Sequence, residues 1–182
     1  AHPAETESRD DLSIERITLY NQLGRYEEAK ALIAARKFHP WEGGEGKITG
    51  QYTICHVELA KIALREHRYA DALALLQATD QYPYNLGEGK LINAEENDIW
   101  YYKGLAYRGL GDEENAKLWL HKATQGSAEP QQAFFYNDAQ PDKIFYQGLA
   151  WRALGEEDKA RGRFNKLIKH GEKHLFDHCR ID

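Results

Sequence analysis

The feature that most constrains this chain is that it resembles itself. The stretch GLAYRGLG that opens at Gly104 returns 44 residues later as GLAWRALG at Gly148, and Ala116 returns as Ala160. With alanine as the ruler, Ala29, Ala72, Ala116 and Ala160 mark steps of 43, 44 and 44 residues. A fixed period of this size means that one supersecondary unit is repeated, and that neighbouring units bury a shared core. Four such units fill most of the 182 residues.

Each unit reads as two helices joined by a short turn. In the first, Ile14, Ile17, Leu19, Tyr20 and Leu23 give apolar spacing up to Gly24, and Asp10 or Asp11 is placed to cap the start. Residues 25–36 follow as a helix with acids early and a base late, which suits the helix dipole. The same reading predicts repeats over about 10–37, 51–79, 95–124 and 141–170, with loops over 39–50, 81–93 and 126–140. Twelve residues before the marker alanine stands Ala60, Gly104 or Gly148, small enough to let paired helices approach closely; the first unit has Ile17 instead. Tyr20, Tyr107, Trp151, Ile33, Leu76, Leu120 and Phe164 are the expected filling between helices. The expected fold is therefore all-α, a solenoid of four helical hairpins with long inter-repeat loops. Residues 1–8 read as a flexible lead and 171–182 as the start of a further helix.

Composition narrows the partner. A formal charge of −5 argues against a surface that tracks nucleic-acid phosphates, which needs clustered Lys and Arg. No apolar run approaches the roughly 18 residues that span a bilayer, so no membrane partner is expected. Cys55 and Cys179 stand far apart with no Cys-x-x-Cys, which signals neither a disulfide framework nor zinc. His170, His174 and His178, with Cys179 adjacent, follow one helical face and read as solvated; no metal or cofactor is expected. His56 beside Cys55 is not read as a catalytic dyad, since helix neighbours point about 100° apart. The chain does not open with Met and reads as a segment of a longer, cytoplasmic protein.

At Trp100, Lys103, Gly104, Tyr107, Ala116, Leu120 and Ala123 the chain resembles the tetratricopeptide family, with Lys103 in place of that family's Leu. The fourth unit resembles it at Gly148, Trp151, Ala160 and Phe164, but has Ile144 for Trp and Leu167 for the last Ala. The family period is about 34 residues; the surplus here lies in the loops. RDDL from Arg9, FFYND from Phe134 and IFYQGLA from Ile144 are similar to a bacterial subgroup of that family. Its longer members carry a β-rich domain of unknown function, suspected to be related to carbohydrate-active folds. The resemblance implies an accessory segment and a link to sugars, with no established activity.

The first two long loops are also copies: PWEGGEGKI from Pro40 returns as PYNLGEGKL from Pro83. Gly-Glu-Gly-Lys suits a tight turn with exposed amides. Trp41 and Tyr84 stand where a Walker A loop needs its first glycine, and Ile48 and Leu91 where it needs Ser or Thr. The loops read mainly as linkers that pack Trp41 or Tyr84 on the next hairpin. As a binding surface they would offer Trp41, Glu45, Lys47, Tyr84, Glu88 and Lys90 to a glycan or an anion.

The inner face of a helical array would carry Asn21, Lys61, Arg65, Tyr101, Arg108, Phe145 and Arg152. Arg108 and Arg152 are repeat equivalents that can fork carboxylates, or pair with Asp98, Asp142 or neighbouring acids. Two functions are thus expected in competition. One is a non-catalytic scaffold that binds a protein or peptide, or the β-rich domain of its own chain. The other is an accessory segment of a carbohydrate-active enzyme, whose loops touch a glycan or anionic ligand.

Overall fold

The computed structural model describes residues 9–131 and 140–175. Among them are eight α-helices and no strand, as expected for an all-α chain. The RDDL stretch opens this region, whereas the lead at 1–8, FFYND from Phe134, His178 and Cys179 lie outside the described residues. The chain divides into two compact units, residues 1–93 and 94–182.

The first unit holds α1 (Asp10–Gln22), α2 (Tyr26–Ala34), α3 (Lys47–Arg65) and α4 (Tyr69–Gln77). The second holds α5 (Asn97–Gly109), α6 (Glu113–Lys122), α7 (Asp142–Ala153) and α8 (Glu157–His174). In each, consecutive helices pack as pairs, and the first helices of the two pairs also touch.

All four pairs close through one kind of turn. Gly24, His67, Gly111 and Gly155 take left-handed backbone, with φ of 73°, 59°, 80° and 83°. The following amide then donates back across the turn, from Arg25 to the Tyr20 carbonyl at 2.8 Å and from Arg68 to Ala63 at 2.8 Å. Asp112 to Tyr107 at 3.0 Å and Glu156 to Trp151 at 2.9 Å repeat it. This is the Schellman closure, which satisfies a carbonyl left open at the helix end. Its positions step by the same interval as the marker alanines, and all four alanines are fully buried.

Close approach of paired helices explains the small residues. A Cβ at Gly104 would fall 2.7 Å from Leu120 Cγ, and one at Gly148 would fall 2.4 Å from Phe164 Cε1. In the first pair the buried Ile17 packs in a cluster with Ala29, Ile33, Phe38 and Ile48 instead. The core of the second unit gathers Leu120, Ala123 and Ala150, with Trp100 and Tyr101 against them. Lys103 is fully buried, with its ammonium 4.4 Å from the centre of the Trp119 ring. Lys122 completes a stack, 4.6 Å from Trp100 and 4.9 Å from Trp119. Aromatic faces attract cations most strongly when water is excluded.

Three boundaries differ from the sequence reading. Neither Asp10 nor Asp11 caps α1, because the cap position falls on Arg9, whose side chain makes no cap bond. Asp10 instead accepts from Arg36 Nε at 2.6 Å and from the His39 backbone N–H at 2.9 Å, tying the start of α1 to the chain beyond α2. Helix α3 begins at Lys47, inside the stretch expected to be a loop. Helix α8 runs unbroken past residue 170 to His174, so no new helix starts at 171.

Candidate interaction site

In the second unit α5 and α7 lie side by side, so residues one period apart become neighbours. Tyr102 and Tyr146 stack edge to face at 5.7 Å with their hydroxyls 3.5 Å apart. Tyr101 lies 5.2 Å from Tyr102 and 6.0 Å from Tyr146. Phe145, 44 % exposed, meets Tyr146 at 5.6 Å and Phe164 at 5.7 Å. The result is an aromatic patch built from two helices.

Its edge is cationic but already paired. Arg108 donates to the Ala153 carbonyl at 3.1 Å and stands 3.4 Å from Glu113; Arg152 contacts Glu157 at 3.2 Å and lies 4.9 Å over the Phe164 ring. Glu113 and Glu157 are repeat equivalents, so both arginines meet the same partner five residues on. The named alternatives, Asp98 and Asp142, are otherwise engaged: Lys143 bonds Asp98 at 2.7 Å and stands 3.7 Å from Asp142. Burial, the largest influence on Lys143, works against its charge, yet Asp98, Asp142 and Glu96 outweigh it and its pKa is raised. Burial, again the largest influence, raises the pKa of the Tyr101 hydroxyl with help from Tyr102, while Arg108 and Arg152 oppose the rise.

Four of the seven inner-face residues therefore come together: Tyr101, Arg108, Phe145 and Arg152. The other three lie in the first unit. Asn21 is buried rather than presented, its amide donating to the Gln51 backbone and side-chain oxygens at 3.1 and 2.8 Å. Lys61 pairs with Glu58 at 2.6 Å, and Arg65 is exposed. Sequence reasoning passed over Tyr102 and Tyr146, although their spacing of one period was the signal that would have found them.

The duplicated loops do not repeat in space. In the first copy Gly43 and Gly46 take positive φ and Lys47 opens α3; in the second only Gly87 does, and Gly-Glu-Gly-Lys continues without starting a helix. The second copy folds back on the first. Asn85 donates to the Ile33 and Arg36 carbonyls at 2.8 Å each, the Phe38 N–H donates to the Asn85 carbonyl at 2.7 Å, and Glu88 accepts from the Gly46 N–H at 2.9 Å. An amide at a helix start is where an anion would bind, and Glu88 supplies one from within.

The loop residues are thus mostly occupied. Trp41 packs against the first core with its ring on Gly44, where a Cβ would fall 2.2 Å from Cε2. Lys47 lies 5.9 Å over that ring, and Lys90 donates to the Thr79 carbonyl at 2.6 Å. Tyr84, expected to pack, is instead 86 % exposed with Lys37 5.3 Å from its ring, and Glu45 is exposed.

One side-chain pair departs from the adjacency argument. Cys55 Sγ and His56 Nδ1 approach to 3.4 Å despite being helix neighbours. Both nevertheless lean on Tyr52: His56 Nδ1 lies 2.7 Å from its carbonyl, and Cys55 Sγ donates there at 3.1 Å. Burial pushes the thiol up to about 12 and the imidazole down, the reverse of what a thiolate and imidazolium pair requires. The His170 and His174 rings stack at 4.5 Å, and among the described residues no group of three or more His, Cys, Asp or Glu could hold a metal. No described helix is long and apolar enough to cross a membrane.

No protein-family model matches the chain, and no solved structure matches its fold.

Proposed function

We propose that the chain is a non-catalytic, tetratricopeptide-like scaffold that binds a protein or peptide, or another domain of a longer chain of which it is part. The observation that carries the reading is the four-fold recurrence of one helix-pair turn in register with four buried alanines. Repeated helix pairs offer extended side-chain surfaces rather than a chamber for chemistry. The surface with the most suitable composition is the Tyr101, Arg108, Phe145 and Arg152 patch, because aromatic residues and arginine concentrate where proteins bind tightly. The burial and pKa directions of Cys55 and His56 also support a non-catalytic role. The glycan alternative draws less support, since Trp41, Glu88 and Lys90 serve internal contacts.

The test is site-specific photo-crosslinking in the longest available form of the protein. A crosslinker at position 145 should capture a discrete partner, whereas one at Asn165, on the exposed side of α8, should not. Equal capture at both positions, or at neither, would count against this surface.

A further inference from the structure

The α6–α7 interface of the second unit shows how the second helix of one hairpin seats the first helix of the next. Leu120 and Ala123 of α6 and Ala150 of α7 are fully buried together, Thr124 is buried, and Leu154 packs against the cluster. One period after α6, helix α8 carries Phe164, Leu167 and Ile168 in place of Leu120, Ala123 and Thr124. There the first two are only half-buried and Ile168 is 56 % exposed. At the start of the series, α1 carries Leu19 and Leu23 where α7 has Ala150 and Leu154, and they are 57 % and 70 % exposed. The chain thus displays, uncovered, both halves of a contact that it makes elsewhere.

We propose that a second copy of this chain completes that contact, with α8 of one copy seated on α1 of another as α6 is seated on α7.

Register, size and charge select this occupant. Phe164, Leu167 and Ile168 follow the spacing of a single helical stripe, and Leu19 and Leu23 stand one turn apart on the face they would meet. Leu19 replaces an alanine and Ile168 a threonine, so each end offers more apolar surface than the internal interface it matches. Helix α1 holds three acids to one arginine, whereas α8 holds six Lys or Arg to three acids, so the two helices carry opposite charge. An unrelated helix would cover one stripe and leave the other bare; a second copy matches one to the other. Because the two faces differ, the contact is heterologous and does not stop at a pair.

The inference goes beyond the Tyr101 patch and uses none of its four residues. The longest available form of the protein is followed by sedimentation velocity over a wide range of concentration. The parent should gain mass with concentration, past that of a dimer. Leu19→Asp and Ile168→Asp should each lower the association constant by at least about tenfold. Both positions are exposed, and circular dichroism checks that the variants stay folded. Mixed together, the two variants should associate again but stop at a heterodimer, since each keeps the face that the other has lost. A parent that stays monomeric would overturn the proposal, and so would a mixture that does. A single variant that self-associates like the parent would overturn it too, in favour of α1 on α1, α8 on α8 or another surface. Crosslinking at position 145 reads the Tyr101 patch separately, so a monomeric parent that still captures a partner there loses only the self-association. Asn165 is turned about 100° from Phe164, off the α8 stripe, and keeps its use as the control.

Discussion

The Glu88 carboxylate accepts the Gly46 backbone N–H at 2.9 Å, joining two copies of one sequence motif in different roles. The first copy opens a helix and the second supplies the acid that closes its first turn. Glu45, which matches Glu88 in the alignment of the loops, points to solvent.

Removing this bond should therefore cost far more in one copy than in the other. Glu88→Ala is expected to lower stability by about 1 kcal/mol, the usual worth of a helix-start acceptor. Glu45→Ala should stay within about 0.5 kcal/mol of the parent. Urea unfolding midpoints measured side by side would decide it, and equal losses would mean that the Glu88 contact does not stabilise α3.

Glycines inside helices should also divide by location. Gly148→Ala places a methyl against Phe164 and is expected to cost about 1–3 kcal/mol. Gly162→Ala, in α8 with open space around it, should instead gain about 0.5–1 kcal/mol through helix propensity. Adding Phe164→Leu to Gly148→Ala should recover part of the loss in a thermal melt. No recovery would argue that the close approach is not the cause.

His67 is the one non-glycine with positive φ among the described residues, and it stands where the other three pairs have glycine. Left-handed backbone costs an ordinary residue about 1–2 kcal/mol. The exposed bond from His67 to the Tyr69 hydroxyl at 2.7 Å returns less than that. His67→Gly should consequently stabilise the fold by a net of about 0.5–1 kcal/mol and raise the melting temperature. Gly111→His should lower it by a similar or larger amount, and a destabilised His67→Gly would show that the side-chain contact outweighs the strain.

Acid should act through Asp10. Burial, the largest influence on it, favours the neutral acid, but bonds from His39 and Arg36 prevail and hold its pKa below the usual value. A depressed folded pKa gives stability that is complete above the unfolded value of about 3.9 and is lost as pH falls through the folded one. Asp10→Asn should cost about 1–2 kcal/mol at neutral pH. The gap from the parent should shrink by about pH 2. A gap that stays constant with pH would assign the effect to shape rather than charge.

Much of the architecture was legible because packing leaves a periodic trace. Ala29, Ala72, Ala116 and Ala160 are small where helices meet, and Gly24, Gly111 and Gly155 are glycines where the backbone turns left-handed. The turn at His67 and Arg68 was legible only from the break in helical spacing, because histidine carries no such signal of left-handed backbone. The start of α3 was illegible for a different reason: Gly-Glu-Gly-Lys occurs twice, and only contacts distant in sequence decide which copy becomes helix. Lys103 could be seen to replace Leu, but its place on the Trp119 ring depends on the antiparallel neighbour. The aromatic patch was half legible. Tyr101 and Phe145 were found by face, while Tyr102 and Tyr146 carried their signal in the 44-residue spacing that sets them together across α5 and α7.

The inward reach of Asn85 and Glu88 changes how the length of each repeat should be understood. Residues that look like slack between hairpins act as a latch, with one hook in the end of α2 and another in the start of α3. Trimming the second loop toward a shorter period would not tidy the fold; it would unfasten the hairpin before it.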